Sequence, residues 1–140
     1  MKRIIVFVVI IAISVLAASS WAAKTEKEKA AVTVAGKWLA LIDTGKYSDS
    51  WRDANEYFKK SVKQDPWENT VRSVRRTTGK MISRKLKNKI DKKPSPGEPQ
   101  GQYIIVQYST SFQNKKSATE EVVTTLDKDG RWKVSGYHFY

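Results

Sequence analysis

The spacing of apolar residues changes at Gly79, and that change constrains the fold more than any other feature of the chain. Before it, apolar residues recur every three or four positions. Ala31, Val34, Trp38, Leu41 and Ile42 form one such set, the pattern of a helix with one buried face. Trp51, Ala54, Phe58 and Val62 form a second set that Ser48 or Asp49 could cap. Val71 and Val74 belong to a third, which Asp65-Pro66 opens with Glu68 in capping-box position. Gly45 and Gly79 supply stops. After Gly79 the period is two. Ile82, Leu86 and Ile90 are separated by Ser83, Lys85, Lys87 and Lys89, which predicts a strand with one wet face. Tyr103 to Phe112, Glu120 to Leu126 and Arg131 to Tyr140 predict three more strands. A Pro- and Gly-rich loop (94–101) and an Asp129-Gly130 turn join them, and Gly136 is a candidate bulge. Helices first and short-linked strands afterwards give an α+β chain. Its three helices pack on a four-stranded antiparallel meander.

The chain opens with Lys2-Arg3 and an apolar run from Ile4 to Ala18, followed by Ser20-Trp21-Ala22. That order matches a secretory signal with cleavage after Ala22. The expected organisation is a signal peptide at 1–22 and one α+β domain at 23–140. The run is shorter than the ~20 residues of a spanning helix, so no transmembrane span is expected after cleavage; retention of the segment as an anchor is the competing reading. The chain has no cysteine, so the domain must stand on its core. Expected core residues are Trp38, Leu41, Trp51, Phe58, Val71, Ile82, Leu86, Val106, Tyr108, Phe112, Leu126, Trp132 and Val134.

The formal charge is +12, and loss of Lys2 and Arg3 leaves +10. Between Arg72 and Lys93 stand ten cationic residues and a single acid, Asp91. Charge this concentrated suggests a docking patch for an anionic partner. Its candidate residues are Arg72, Arg75 and Arg76 on the third helix and Lys85, Lys87 and Lys89 on the wet face of the first strand. The bland alternative is a solvated edge guarded by lysines. Arg84 has the parity of Ile82 and Leu86 and should turn inward to a carboxylate. Export makes nucleic acid an unexpected partner; anionic lipid, lipopolysaccharide or an acidic protein fits better.

No catalytic constellation is visible. The single histidine, His138, lies near the end of the chain, and triad chemistry needs a base beside its nucleophile. Neither metal-ligand spacing nor a phosphate-cradling glycine motif occurs, and no cofactor is expected. Asp91, Asp127 and Asp129 fall at strand ends or turns, and Glu120-Glu121 opens a strand; none is an obvious buried acid. The reading is therefore a non-catalytic exported binding domain. The alternatives are a small-ligand carrier with an aromatic-lined cavity between helices and curved sheet and, remotely, an isomerase-like enzyme using that cavity.

Several stretches, in order, carry a family resemblance: Trp38-Leu-Ala-Leu-Ile-Asp-Thr-Gly-Lys-Tyr47 with Ser50-Trp51, Ser83-Arg84-Lys85, Pro96-Gly97-Glu98-Pro99-Gln100-Gly101-Gln102-Tyr103, Tyr108-Ser-Thr-Ser-Phe112, and Asp129-Gly-Arg-Trp-Lys-Val134 with Gly136-Tyr137. From about Ala31 to Tyr140 the chain resembles the domain-of-unknown-function 4019 family of small exported bacterial proteins. The resemblance implies a periplasmic location and a helix-plus-curved-sheet domain like the cystatin or nuclear-transport-factor-2 cone. It implies no activity. The expected location is periplasmic or secreted. N-terminal sequencing of the envelope-fraction protein should find Ala23 as the first residue, and retention of Met1 on membrane-bound protein would favour the anchor instead.

Overall fold

The computed structural model describes the backbone of residues 2–140 and the side chains of residues 19–140. The basic start and apolar run of the expected signal therefore lie outside the described side chains. Eight elements follow one another: α1 (Lys2–Asp43), α2 (Tyr47–Asp53), α3 (Glu56–Ser61), α4 (Gln64–Thr78), β1 (Met81–Lys92), β2 (Tyr103–Phe112), β3 (Lys115–Leu126) and β4 (Trp132–Phe139). The chain divides into two compact units, 1–30 and 31–140. In the first, Thr25 Oγ1 donates to the carbonyl of Trp21 one turn back, and Glu26 pairs with Lys29 on an exposed face. Among the described residues no helix is long and apolar enough to cross a membrane.

The second unit is an α+β domain. Its sheet runs in the order β1-β2-β3-β4, with every neighbouring pair antiparallel. The helices pack on the face that carries Ile104, Val106, Tyr108, Val122 and Val134. Alternation along β2 and β3 places these residues on one side because successive side chains point to opposite faces. The Asp129-Gly130 turn forms as expected. Gly130 adopts φ +82, and Asp127 and Arg131 close the hairpin with a 2.8 Å bond. A register shift beside Gly136 confirms the bulge in β4.

Trp38, Trp67, Phe58 and Tyr137 form the aromatic centre, with ring centroids 5.1 to 6.4 Å apart. Both indoles also need a hydrogen-bond partner once buried, and the fully buried Ser50 serves both. Trp38 Nε1 donates to the Ser50 carbonyl at 2.8 Å, and Trp67 Nε1 donates to its hydroxyl at 3.0 Å. These rings pack together in the core between the helices and the sheet. The backbone N–H of Asn55 donates to the Val134 carbonyl at 2.8 Å and ties the helices to β4.

The structure corrects the helical reading in two places. The second expected helix is two, because the chain extends at Ala54-Asn55 and Asn55 then caps α3, its side-chain oxygen accepting from Phe58 N at 2.9 Å. The last helix begins before Asp65: Trp67 N already donates to the Lys63 carbonyl, so Lys63 is the N-cap and no side chain caps it. Gly79 ends α4 as expected, at φ +74. A Cβ there would sit 2.9 Å from Gln113 Cβ, so only glycine allows the β2–β3 turn to close on the helix end.

The larger correction concerns β1. Trp38, Phe58, Val71, Val106, Tyr108, Phe112 and Val134 are buried as expected, and Leu41, Trp51, Leu126 and Trp132 are half-buried. Ile82 and Leu86, however, are 62% and 45% exposed. β1 is the edge of the sheet, and these two side chains lie open to solvent there. Trp38→Ala should therefore cost about 3–5 kcal/mol, whereas Ile82→Ser should stay within ~0.5 kcal/mol. Denaturant titration of both variants checks the contrast, and equal losses would mean that β1 belongs to the core.

Candidate functional site

The register of the sheet brings Arg84 opposite Thr110 and Tyr108 opposite Glu120. Arg84 turns inward, as its parity requires, and meets two carboxylates. Its Nε donates to Glu120 Oε1 at 2.8 Å, and its terminal nitrogens fork onto Asp43 at 2.7 and 3.0 Å. Thr110 Oγ1 donates to Glu120 Oε1 at 2.6 Å, and the Tyr137 hydroxyl donates to Oε2. Arg75 completes the group from α4: its NH2 lies 2.9 Å from Asp43 Oδ1 and 3.6 Å from Glu120 Oε2. That nitrogen makes no aligned hydrogen bond, so its contact with the carboxylates is one of charge. The Arg75 guanidinium also stands over the Phe112 ring at 4.7 Å, a cation–π contact.

The four charged side chains are 0% (Glu120), 9% (Arg75), 12% (Arg84) and 19% (Asp43) exposed. Two arginines and two carboxylates cancel, which is the condition for burying ions at tolerable cost. Burial pulls the Arg84 guanidinium toward losing its proton, but the hydrogen bonds and charges of Asp43 and Glu120 outweigh it and hold the proton more firmly than usual. Burial and the Glu120 charge together push the Tyr137 hydroxyl above the usual tyrosine range. Arg84 donates to both Glu120 oxygens, Thr110 to one and Tyr137 to the other, so the acceptor sites of that carboxylate are committed.

Glu120 is therefore a buried acid that the sequence reading passed over. The signal was present. Glu120 shares parity with Val122 and Thr124, both fully buried on β3, so Glu120 rather than Glu121 had to face inward. Glu121 faces out, accepting from Tyr140 and Gln107.

Above this network, α1, α4 and β1 border a cleft of about 620 Å³. Among the described residues Arg72, Arg75, Arg76 and Lys80 line it, with Asp43 as the one acid and Ile42 and Met81 as apolar surface. Positions 72, 75 and 76 share one face of α4 by their spacing. Arg72 rests over the Tyr47 ring at 5.6 Å, while Arg76 and Lys80 are exposed. The candidate patch is thus divided. Arg72 and Arg76 face the cleft. Arg75 is occupied by Asp43 and Phe112 and is not a free surface cation, because the nearly buried position that brings it to the cleft wall also delivers it to the carboxylates.

Lys85, Lys87 and Lys89 are exposed on β1 but do not share a face. A register shift between Leu86 and Asn88 marks a bulge at Lys87. Lys85 stands opposite Ser109, whereas Lys89 stands opposite Val106, on the helix-bearing side. The extra residue reverses the parity. Among the described residues no group of three or more His, Asp or Glu is placed to hold a metal ion.

The raised Tyr137 ionisation has a definite sign. The fold favours the protonated form, so this contribution is complete below pH ~10, the unfolded tyrosine value, and is lost as pH rises beyond it. Alkaline titration of tyrosinate absorbance should show Tyr137 ionising only as the chain unfolds. Tyr137→Phe should remove one late-ionising tyrosine, and unchanged late amplitude would place the hydroxyl outside the network.

No curated protein matches the chain. Residues 34–137, which span the end of α1, the other three helices and the sheet up to Tyr137, match the family described as protein of unknown function DUF4019. That match covers well over half the chain, and the protein belongs to the DUF4019 family.

Proposed function

We propose that the protein is an exported, non-catalytic binding domain. It docks through the cleft between α1, α4 and β1 on phosphate groups of an anionic envelope component, such as lipid headgroups or lipopolysaccharide. The observation that carries this reading is the lining of the cleft: Arg72, Arg75, Arg76 and Lys80 against Asp43 alone. Asp43 and Arg75 offset each other, which leaves Arg72, Arg76 and Lys80 to supply the field. Arginine suits such a site because its planar fork presents several donors to phosphate oxygens. The apolar wall of Ile42 and Met81 lowers the local dielectric and strengthens the attraction. The signal-like start of the chain supports action outside the cytoplasm, where nucleic acid does not compete for the patch.

Cationic side chains at an anionic surface contribute roughly 1 kcal/mol each. The triple variant Arg72→Glu, Arg76→Glu, Lys80→Glu should therefore lose at least about a hundredfold in affinity for vesicles containing phosphatidylglycerol. Its melting temperature should hold, because none of the three belongs to the buried network. Wild-type binding should weaken steeply with salt, since exposed charges are screened over ~8 Å at physiological ionic strength, and inorganic phosphate should compete. Vesicle co-sedimentation measures all three effects. Equal binding by variant and wild type, or binding indifferent to salt, would remove the cleft as the docking site.

A further inference from the structure

We infer that the phosphates met by the cleft are those of an anionic bilayer, and that the end of the domain around the β2–β3 turn docks on its surface. This rests on the docking reading above and extends it beyond the cleft. The β2–β3 turn folds back onto the end of α4. Gln113 N donates to the Lys80 carbonyl and Asn114 N to the Thr78 carbonyl, both at 2.8 Å. Asn114 Nδ2 donates to the Thr77 carbonyl at 3.2 Å. Those bonds bring Lys115 and Lys116, the first residues of β3, to the same end of the domain as Arg76 and Lys80. All four cations are exposed, and among the described residues none of them is held in an ion pair. Neither Arg76–Ile90 nor Gln113–Thr119 contains an acid, so no neighbour in sequence offsets the charge.

Lys115 and Lys116 do not line the cleft. One headgroup seated between Arg72 and Lys80 would leave them idle, whereas a charged plane meets the cleft, the helix end and the turn together. Ile82 adds a contact of another kind. The register passes from Met81 opposite Phe112 to Ser83 opposite Ser111, so Ile82 is the extra, unpaired residue of a bulge. It directly follows Lys80 and Met81, both of which line the cleft, and it is 62% exposed. A lone exposed apolar residue is ordinary on a protein surface. One that adjoins a cluster of unpaired cations has the chemistry of an interfacial anchor, in which charges hold lipid phosphates while the apolar group enters the boundary between headgroups and acyl chains. A soluble polyanion would satisfy the cations and leave Ile82 in water, so the pairing of the two features selects a bilayer.

The test uses the full chain and its variants, which share one N-terminal apolar run, so that differences between them report the domain. Because the chain has no cysteine, Ile82→Cys offers a single point for an environment-sensitive fluorophore. On phosphatidylglycerol vesicles that label should shift to the blue and be quenched by brominated acyl chains. The same label on Lys128→Cys, in the β3–β4 turn at the other end of the sheet, should do neither. Lys115→Glu with Lys116→Glu should lower vesicle affinity at least about tenfold, while inorganic phosphate still binds the cleft as in wild type. Ile82→Ser should lower vesicle affinity roughly fivefold with the melting temperature unchanged. A label at position 82 that stays in water on bound protein would overturn the inference. So would vesicle binding by the Lys115, Lys116 variant equal to that of wild type. If only the Arg72, Arg76, Lys80 variant loses binding, the cleft stands and the bilayer surface falls. If every variant binds vesicles alike, both fall.

Discussion

A carboxylate removed from water must find its hydration shell in the protein. Glu120 finds it in Arg84 of β1, Thr110 of β2, Tyr137 of β4 and the nearby charge of Arg75 of α4. Asp43, at the end of α1, is drawn in through both arginines. Helices and strands are therefore joined by one neutral set of charges, and no member can be removed without leaving another ion buried and uncompensated. Replacing the set by apolar groups of similar volume would cost little in stability. What it contributes is direction, since forked and charge-assisted bonds fix how β1 and α4 lie where apolar packing alone would permit sliding.

The parts of this arrangement visible in the sequence were those set by local chemistry. The change of period at Gly79, the bounds of β2, the Asp129-Gly130 turn and the inward face of Arg84 all follow from neighbouring residues. What escaped depends on distant ones. Alternation assigned Ile82 and Leu86 to a face of β1, but whether a helix covers that face is decided by how far α1 and α4 reach across the sheet. The bulge at Lys87 has no glycine or proline to announce it, so the three lysines could not be separated in advance. The break at Ala54-Asn55 was masked because Trp51, Ala54 and Phe58 keep helical spacing across it. Glu120 is legible by parity only when β3 begins at Lys115, because a residue that opens a strand has no face fixed by its neighbours on both sides.

The cleft and the buried network share residues, and that sharing gives each its character. Arg75 is too enclosed to serve as a mobile surface cation, yet it stands at the cleft wall. Asp43 faces both sides, neutralising the arginines beneath while placing one negative charge among the cations above. Arg75 and Asp43 are held at the cleft wall from below, whereas Arg72, Arg76 and Lys80 stand exposed outside the network.

The meander has a consequence for the order in which the domain is made. Each strand pairs with the next, so the sheet closes only short loops, and contacts of that kind form readily. The bonds that seat the helices are far longer in sequence: Arg84 reaches back 41 residues to Asp43 and forward 36 to Glu120. Tyr137 and Val134, which meet Trp38 and Asn55, leave the ribosome after the other elements of the domain. Until β4 is present, the tryptophans of α1 and α4 lack part of their cover and Glu120 lacks the Tyr137 hydroxyl. The domain thus stays incompletely folded until β4 is present, and that strand locks the helices in place.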